Sequence, residues 1–232
     1  IITNLSDRDQ AIKDIIASSF GFSGQKCSAS SLIICEKNVY NDTAFMQQLK
    51  DAVTHLPVGE SWDYSSKIVP LTNISPHKLK RGLSTIDKGE SWLVKPRQDE
   101  KNPHLFSPGV KMGVQTGSFM YHTELFGPVL SVLTFRDEQE VIKLANDTKH
   151  GLAAGIFTEN SARSLRVARS VRAGIVWVNT YRVVSPIAEF GGFKGSGYGR
   201  ESGFQAMYDY TRPKTIWLNT SNESMNNPFV MR

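Results

Sequence analysis

The sequence VLSVLTF at residues 129–135 decides the fold class, together with the alternating pattern that follows it. This uninterrupted run of mainly apolar residues predicts a buried strand. Asp137 then caps a predicted helix over 138–145, and a second apolar run follows at 152–157. A helix between two buried strands is typical of parallel sheets that helices cover on both faces. The stretch therefore predicts an α/β protein, with an open parallel sheet flanked by helices.

The same alternation continues toward the C-terminus. A helix with arginines at every third position is predicted to end at Gly174 as its C′ glycine, and a buried strand follows at 175–178. We expect this helix to bury one apolar face, formed by Ala162, Leu165, Ala168 and Val171. After a glycine-rich loop at 191–203, the segment Lys214–Leu218 predicts a last strand, and residues 221–232 are polar.

Toward the N-terminus the signals are shorter. Three more helices are predicted from capping residues and apolar spacing: residues 7–18 with Ser6 and Asp9 as the cap, a helix that begins after Asp42, and a helix from Ser75-Pro76 to Gly89 with Leu79, Leu83 and Ile86 on one face. The apolar run Leu32–Cys35 predicts a buried strand, whereas the proline-containing residues 90–122 predict loops and short extended pieces. No linker composition divides the chain, so we predict one domain.

Composition and charge exclude several function classes. Of 232 residues, 40% are hydrophobic and 21% charged, which allows a packed core, and no apolar run is long enough to span a membrane. The net charge of +5 raises the question of nucleic acid. The basic stripe of the predicted arginine helix is better explained as a solvated helix face, because no nucleic-acid-binding motif accompanies it. We therefore expect neither a nucleic-acid nor a membrane partner.

The cysteine and histidine content points to a reducing compartment without metal chemistry. The only cysteines, Cys27 and Cys35, are too few for a disulfide scaffold, and no Cys/His cluster has zinc-ligand spacing. We expect a cytoplasmic protein with no metal site. The first five residues lack the features of a signal peptide and the chain lacks an initiating Met, so we expect that residue 1 is not the natural start.

Cys27 is the first candidate for chemistry. A thiolate is a strong nucleophile when its surroundings favour ionisation, and Cys27 lies in a predicted turn between a helix and a buried strand. Its neighbours Ser28, Ala29 and Ser30 are small enough to leave room for a substrate. The local sequence also allows a buried structural cysteine, which is the usual role of a free Cys. Cys35, inside an apolar run, is predicted to be a core residue.

Two loops offer candidate binding residues. Glu124 and Phe126 lie in the sequence ELFGP just before the strand at 129–135. A carboxylate can accept hydrogen bonds from ribose hydroxyls and an aromatic ring can pack against a nicotinamide, although a solvated turn glutamate fits the local sequence as well. The glycine-rich loop at 191–203 matches neither a Walker A loop nor a dinucleotide fingerprint, so its glycines indicate an irregular backbone or a close approach to another chain or ligand.

Five motifs follow one another along the chain: FSGQKC at 22–27, ELFGP at 124–128, GLAAGIF at 151–157, AGIVWVN at 173–179 and FGGFKGSG at 190–197. Together they resemble the aldehyde dehydrogenase superfamily, and the resemblance extends to about Leu218. It implies the catalytic-domain fold of that family, with a C-terminal strand that pairs between subunits. We therefore expect a catalytic domain at 1–218, a polar tail at 219–232, and a homodimer or homotetramer in the full-length protein.

The resemblance also implies a mechanism. Cys27 would attack a small aldehyde to give a thiohemiacetal, hydride would pass to NAD or NADP, and water would release the carboxylate from the resulting thioester. Glu124 would bind the nicotinamide ribose, and Phe126 would pack near the nicotinamide. The backbone N–H of Cys27 would form part of an oxyanion hole.

The chain departs from the family in length, since family members are roughly twice as long. The glutamate motif with the general base, the adenosine-binding strands and the oxyanion-hole asparagine should all precede Ile1. The resemblance therefore implies the C-terminal catalytic half, inactive as a dehydrogenase by itself. A non-catalytic remnant or oligomerisation module is an alternative, and so is an unrelated cysteine hydrolase, which would need a histidine beside Cys27.

The resemblance leaves the aldehyde open. Residues 57–133 resemble bacterial enzymes of proline breakdown, the glutamate γ-semialdehyde (1-pyrroline-5-carboxylate) dehydrogenase branch, mainly through GESW at 89–92 and NPHLFSPG at 102–109. Residues 174–203 resemble the broad-specificity aldehyde branch instead. Glutamate γ-semialdehyde is therefore one candidate substrate.

Overall fold

Six strands form the sheets of the computed structural model, which describes residues 1–5, 7–72, 76–223 and 229. The strands are β1 (Leu32–Glu36), β2 (Ser91–Val94), β3 (Gly109–Met112), β4 (Val129–Phe135), β5 (Ala153–Ile156) and β6 (Ile175–Val178). The first four are hydrogen-bonded in the order β1-β4-β3-β2, and β5 pairs with β6. All pairs are parallel except β2 with β3. The predicted α/β class is confirmed, but the sheet is mixed, because one of the short extended pieces predicted within 90–122 forms an antiparallel edge strand.

Residues 1–3 join the two sheets. Ile2 donates a backbone hydrogen bond of 2.9 Å to Ile34 and accepts one of 2.8 Å from Glu36. On the other side it forms a parallel bridge with Phe157. The strands therefore follow one another as β2-β3-β4-β1-(1–3)-β5-β6. This contribution is not predictable from the local sequence, because three residues are too few to show a period.

The described α-helices are α1 (Arg8–Phe20), α2 (Lys37–Tyr40), α3 (Thr43–Thr54), α4 (Pro76–Ser84), α5 (Phe119–His122), α6 (Glu138–Asn146), α7 (Ser161–Ser170) and α8 (Ala206–Asp209). The helices α1 and α3 cover one face of the larger sheet, and α4 to α6 cover the other. Successive strand residues alternate between two cores: Ile33 packs with the residues of α1 and α3, whereas Ile34 packs with those of α4 to α6. Burial on both faces explains why the strands are continuously apolar. None of the described helices is long and apolar enough to cross a membrane.

The helix starts follow capping chemistry. Asp42 accepts hydrogen bonds from the backbone N–H groups of Ala44 and Phe45 at 2.9 and 3.2 Å, and Asp137 caps α6 in the same way. Both predicted caps are confirmed. The N-cap of α1 is Asp7, whereas the predicted caps Ser6 and Ser75 lie outside the described residues.

Two helix faces differ from the prediction. The helix α4 ends at Ser84, so Ile86 lies beyond it and is half-exposed. In α7 the buried residues are Ser164 and Val167, and Leu165 is exposed. The predicted face of α7 is confirmed only in part: Val171 is buried and Ala168 packs against the same core, whereas Ala162 and Leu165 are exposed. Positions three residues apart rotate by about 300°, so four of them fan out over about 180°.

Gly174 and the Lys214–Leu218 segment also differ from the prediction. The helix α7 ends at Ser170, and Gly174 is needed for packing, since a Cβ there would lie 1.7 Å from the Gly191 carbonyl oxygen. The segment Lys214–Leu218 forms no strand, and its side chains are exposed. A strand requires a hydrogen-bonded partner, and the described part of this single chain provides none there.

The arginine stripe of α7 is partly used inside the molecule. Arg166 forms two hydrogen bonds with Glu138, at 2.7 and 2.8 Å, and Arg163 lies within ion-pair distance of Glu138 and Glu36. The hydrogen bond from Arg166 is the main reason that the pKa of Glu138 is lowered. These contacts tie α7 to α6 and to the end of β1.

Candidate active site

A cavity of about 400 Å³ lies along the sheet, and its wall includes all three predicted site residues, Cys27, Glu124 and Phe126. Loops that precede β1, β4, β5 and β6 contribute to this wall. Because parallel strands begin at the same edge of a sheet, residues that are far apart in sequence meet there. The fold thus brings together two motifs separated by almost one hundred positions.

The segment before Cys27 is held by hydrogen bonds to residues 69–72. The hydroxyl of Ser23 donates to the Val69 carbonyl at 2.7 Å and accepts from the Val69 N–H at 2.8 Å. The side-chain oxygen of Gln25 accepts from the backbone N–H of Thr72 at 2.9 Å. Because Ser23 has a φ of 56°, in the left-handed region, these contacts offset a backbone conformation that costs energy.

Gly24 brings the two predicted loops together. It has a φ of 72°, and a Cβ at this position would lie 2.4 Å from the carbonyl oxygen of Gly127. Gly127 directly follows Phe126. The cysteine loop therefore packs backbone against backbone on the loop that carries Glu124, which only a glycine permits.

The two cysteines occupy different environments. Cys27 is exposed in a turn closed by a 2.9 Å hydrogen bond from the Ala29 N–H to the Lys26 carbonyl. Cys35 is buried in β1, and burial raises its pKa to about 12. Among the described residues no histidine makes a hydrogen bond with Cys27, although His122 and His150 line the same cavity. The accessible thiol is the one that the sequence pattern singled out.

Glu124 and Phe126 bring a carboxylate and an aromatic ring to the cavity wall. Glu124 is half-buried in the cavity wall, and its carboxylate makes no hydrogen bond with any residue that the structure describes. Phe126 is 44% exposed and has a φ of 56°. A free acceptor and an accessible aromatic face beside Cys27 fit a ribose and the flat ring attached to it. The described residues contain no group of three or more side chains that could hold a metal ion.

The glycine-rich loop packs against the protein backbone. Phe193 donates to the Gly151 carbonyl at 2.8 Å, and Ser196 accepts from the Gly151 N–H at 2.9 Å. A Cβ at Gly191 would lie 2.6 Å from the Gly199 carbonyl oxygen. Close packing against the chain's own backbone explains Gly191, whereas Gly197 and Gly199 have positive φ angles and open space around an added Cβ, as the predicted irregular backbone requires.

Tyr181 is a cavity residue that the sequence analysis missed. It lies two positions after the AGIVWVN motif, and its hydroxyl donates a 3.0 Å hydrogen bond to the carbonyl of Ser28. Nothing in the local sequence indicates this contact, because it joins residues 153 positions apart. Only the folded chain reveals it.

Comparison with known proteins gives consistent relatives. A dehydrogenase of Acinetobacter baylyi named for (Z)-2-((N-methylformamido)methylene)-5-hydroxybutyrolactone is 38% identical over 231 residues, 98% of this chain and 47% of that protein. The structure of Proline Utilization A from Corynebacterium freiburgense superposes with a TM-score of 0.86 at 32% identity, covering 97% of this chain and 24% of that one. Betaine aldehyde dehydrogenase from Staphylococcus aureus, in complex with NAD+, gives a TM-score of 0.85 at 30% identity, covering 99% and 46%.

The chain spans about half the length of the curated relatives it matches. The match to the aldehyde dehydrogenase family itself covers residues 1–216, nearly all of the chain. It includes the cysteine turn, the ELFGP loop and the glycine-rich loop described above. The resemblance that the five motifs indicated is therefore confirmed: this chain belongs to the aldehyde dehydrogenase family, a family of oxidoreductases.

Proposed function

We propose that this chain carries the thiol chemistry of an NAD(P)-dependent aldehyde dehydrogenase. The observation that supports this most directly is the convergence of Cys27, Glu124 and Phe126 on one cavity wall. A nucleophile, a ribose acceptor and a nicotinamide-packing ring are the three functions that aldehyde oxidation requires from this half of the site. The NAD+ complexes among the structural relatives support the cofactor class.

Cys27 acts as the nucleophile. Its sulfur, as thiolate, forms a bond to the aldehyde carbon, and the carbonyl oxygen takes up the negative charge. The N–H of Cys27 is available to donate a hydrogen bond to this oxygen, because it has no acceptor among the described residues. The chemistry that a bound NAD(P)+ supplies is acceptance of the hydride, which leaves a thioester on Cys27.

Glu124 and Phe126 hold the nicotinamide end of the cofactor. The carboxylate accepts hydrogen bonds from ribose hydroxyls, and such charge-assisted bonds are worth about 1.5–3 kcal/mol each. The aromatic ring excludes water from one side of the reacting atoms. Both residues belong to the loop that Gly127 anchors against Gly24, so the cofactor and the thiol are positioned by the same contact.

We propose that residues 1–218 form the catalytic thiol domain and that residues 219–232 are a polar tail. A general base that activates the hydrolytic water, and the site for the adenosine end of the cofactor, come from sequence outside these 232 residues. The chain covers 47% of the length of a relative, which supports the proposal that other parts of the site lie in further sequence. We expect the chain by itself to bind aldehydes at Cys27 without turning over as a dehydrogenase, because positioning of the cofactor accounts for about 7–11 kcal/mol of such a barrier.

The substrate is a small aldehyde, and glutamate γ-semialdehyde is one candidate. The structural similarity to Proline Utilization A supports it. Against it, none of the described residues of the 89–92 and 102–109 stretches lines the cavity. Those stretches form the β2–β3 edge and its loops, where Lys111 is buried against Glu90. A panel of aldehydes with and without a carboxylate decides between this substrate and an uncharged one.

Surface and thiol chemistry support the proposed assembly and compartment. Exposed apolar side chains on the last part of the chain, such as Ile216, Trp217 and Leu218, favour a homodimer or homotetramer. Two free thiols favour the cytoplasm.

The alternative function of a cysteine hydrolase is disfavoured, because no described histidine makes a hydrogen bond with Cys27. The other alternative is a non-catalytic remnant or oligomerisation module. Dehydrogenase turnover that depends on the Cys27 thiol would contradict that alternative.

The test uses a protein that contains the complete cofactor site. Cys27→Ala should abolish NAD(P)H production, whereas Cys35→Ala should retain it. Glu124→Gln should raise the cofactor Michaelis constant by about 10-fold or more, because one charge-assisted hydrogen bond is lost. Glu100→Gln, at an exposed position, is the control. If Glu124→Gln leaves both the Michaelis constant and the hydride-transfer rate at wild-type values, Glu124 is not a ribose ligand.

A further inference from the structure

Tyr181 connects the end of one sheet to the turn that carries Cys27. It follows β6, and its hydroxyl donates a 3.0 Å hydrogen bond to the carbonyl of Ser28. Burial raises the pKa of Tyr181 to about 12. The hydroxyl therefore stays protonated, and remains a donor, throughout the neutral pH range.

The backbone around Tyr181 is anchored on both sides. Before it, Asn179 exchanges two hydrogen bonds of 2.9 Å with the backbone of Thr158. After it, the Val183 carbonyl accepts a 2.8 Å hydrogen bond from the indole N–H of Trp177. The rings of Trp177 and Tyr181 are also in contact, with centroids 4.7 Å apart. These contacts hold in place the backbone segment that carries the Tyr181 side chain.

The Tyr181 ring occupies a space that a glycine leaves open. A Cβ on Gly155, in β5, would lie 2.6 Å from a ring carbon of Tyr181. The ring is therefore packed between β5 and the Cys27 turn. The sheet therefore helps to set the position of the ring.

The turn that receives this hydrogen bond contains two backbone donors without an acceptor among the described residues. Cys27 and Ser28 are its central residues, since Ala29 N–H closes it on Lys26. The N–H groups of Cys27 and Ser28 have no acceptor among the residues described, and both residues line the cavity. Free donors beside a nucleophile stabilise the negative charge that develops on a carbonyl oxygen, provided that their direction is fixed.

We propose that Tyr181 is a positioning residue for the Cys27 turn. By holding the Ser28 carbonyl, it fixes the direction of the turn's N–H groups toward the carbonyl oxygen of a substrate bound at Cys27. The inference rests on the proposed function, in which Cys27 is the nucleophile, and it adds a residue outside the recognised motifs to that site.

The experiment compares two reactions of Cys27 in the 232-residue chain, neither of which needs a cofactor. In acylation by p-nitrophenyl acetate, the thiolate bonds to the carbonyl carbon, the carbonyl oxygen becomes negatively charged, and p-nitrophenolate leaves. In alkylation by iodoacetamide, the thiolate displaces iodide from a methylene carbon, and no oxyanion forms. Only the first reaction uses the N–H groups of the turn. Mass mapping assigns each product to Cys27, and Cys27→Ala gives the background.

We expect Tyr181→Phe to slow acylation of Cys27 by about three- to ten-fold, since one hydrogen bond is lost while the donors remain. Alkylation should change by less than about two-fold, because the thiol stays exposed. The matched control is Tyr121→Phe, which removes another 3.0 Å hydrogen bond from a tyrosine in the same cavity wall, to the Leu144 carbonyl. It should leave the ratio of the two rates unchanged.

A second variant moves the ring without removing the hydroxyl. Gly155→Ala should reproduce the selective loss of acylation, which keeps the test decisive if Tyr181→Phe does not fold. Equal loss of both rates, or loss of neither, in the folded variants would overturn the positioning role. If wild-type and Cys27→Ala chains are acylated equally fast, the nucleophile assignment fails instead, and the two failures are therefore distinguishable.

Discussion

Replacement of Gly24 by alanine should separate the two loops of the site. The added methyl group would begin 2.4 Å from the Gly127 carbonyl oxygen, at a residue whose φ is 72°. The left-handed backbone alone costs a non-glycine residue about 1–2 kcal/mol. Relief of the contact by a shift of packed backbone adds about 1–3 kcal/mol. We therefore expect Gly24→Ala to lower the free energy of unfolding by about 2–5 kcal/mol.

Gly117→Ala is the matched control. Gly117 also has a positive φ, 82°, but a Cβ there would meet nothing within 4 Å, so this variant shows the backbone cost alone. Urea unfolding followed by tryptophan fluorescence gives both free energies. Gly24→Ala should be the less stable by about 1–3 kcal/mol, the contribution of the contact. Equal destabilisation of the two variants would refute the reasoning that these loops meet at Gly24.

Three further outcomes are expected. Cys35 should escape a short iodoacetamide pulse that labels the other cysteine, because with a pKa of about 12 only about one thiol in 10⁴ is ionised at pH 8, and mass mapping detects either product. Lys111→Met should lower the free energy of unfolding by about 3–5 kcal/mol, since Glu90 would be buried without its 3.3 Å partner, and adding Glu90→Gln should restore part of the loss. Because Arg166 lowers the pKa of Glu138, this pair stabilises the fold above the ordinary value of 4.5 and loses its effect as the pH falls through the lowered value; Arg166→Gln should flatten that acid limb in a stability–pH profile.

Local chemistry allowed much of the fold to be predicted. The strand at 129–135 and the caps Asp42 and Asp137 were predicted correctly, because an apolar run or a capping carboxylate acts within a few residues of its own position. The α/β class followed from the alternation of such segments. The face of α7 could not be predicted in the same way, since it depends on which neighbours the helix meets.

The partner of each strand could not be predicted from the local sequence. Residues 1–3 become a bridge between two sheets only because β1 and β5 each offer an unpaired edge to them. The antiparallel β2 likewise forms because its backbone can pair with β3. Conversely, Lys214–Leu218 has strand composition but no strand partner among the residues that the structure describes, and it is without regular structure. Backbone hydrogen bonds between strands join residues far apart in sequence, so a strand's composition does not identify its partner.

The candidate site shows the same division between sequence and structure. The sequence by itself identified the candidate groups: the thiol of Cys27, the carboxylate of Glu124 and the ring of Phe126, each within its own motif. The tertiary structure decided that they share one cavity, that Gly24 and Gly127 hold their loops in contact, and that Tyr181 supports the Cys27 turn. The physical reason is that a side chain's chemistry belongs to the residue, whereas its reach depends on strands and loops that only the complete fold brings within a hydrogen bond of one another.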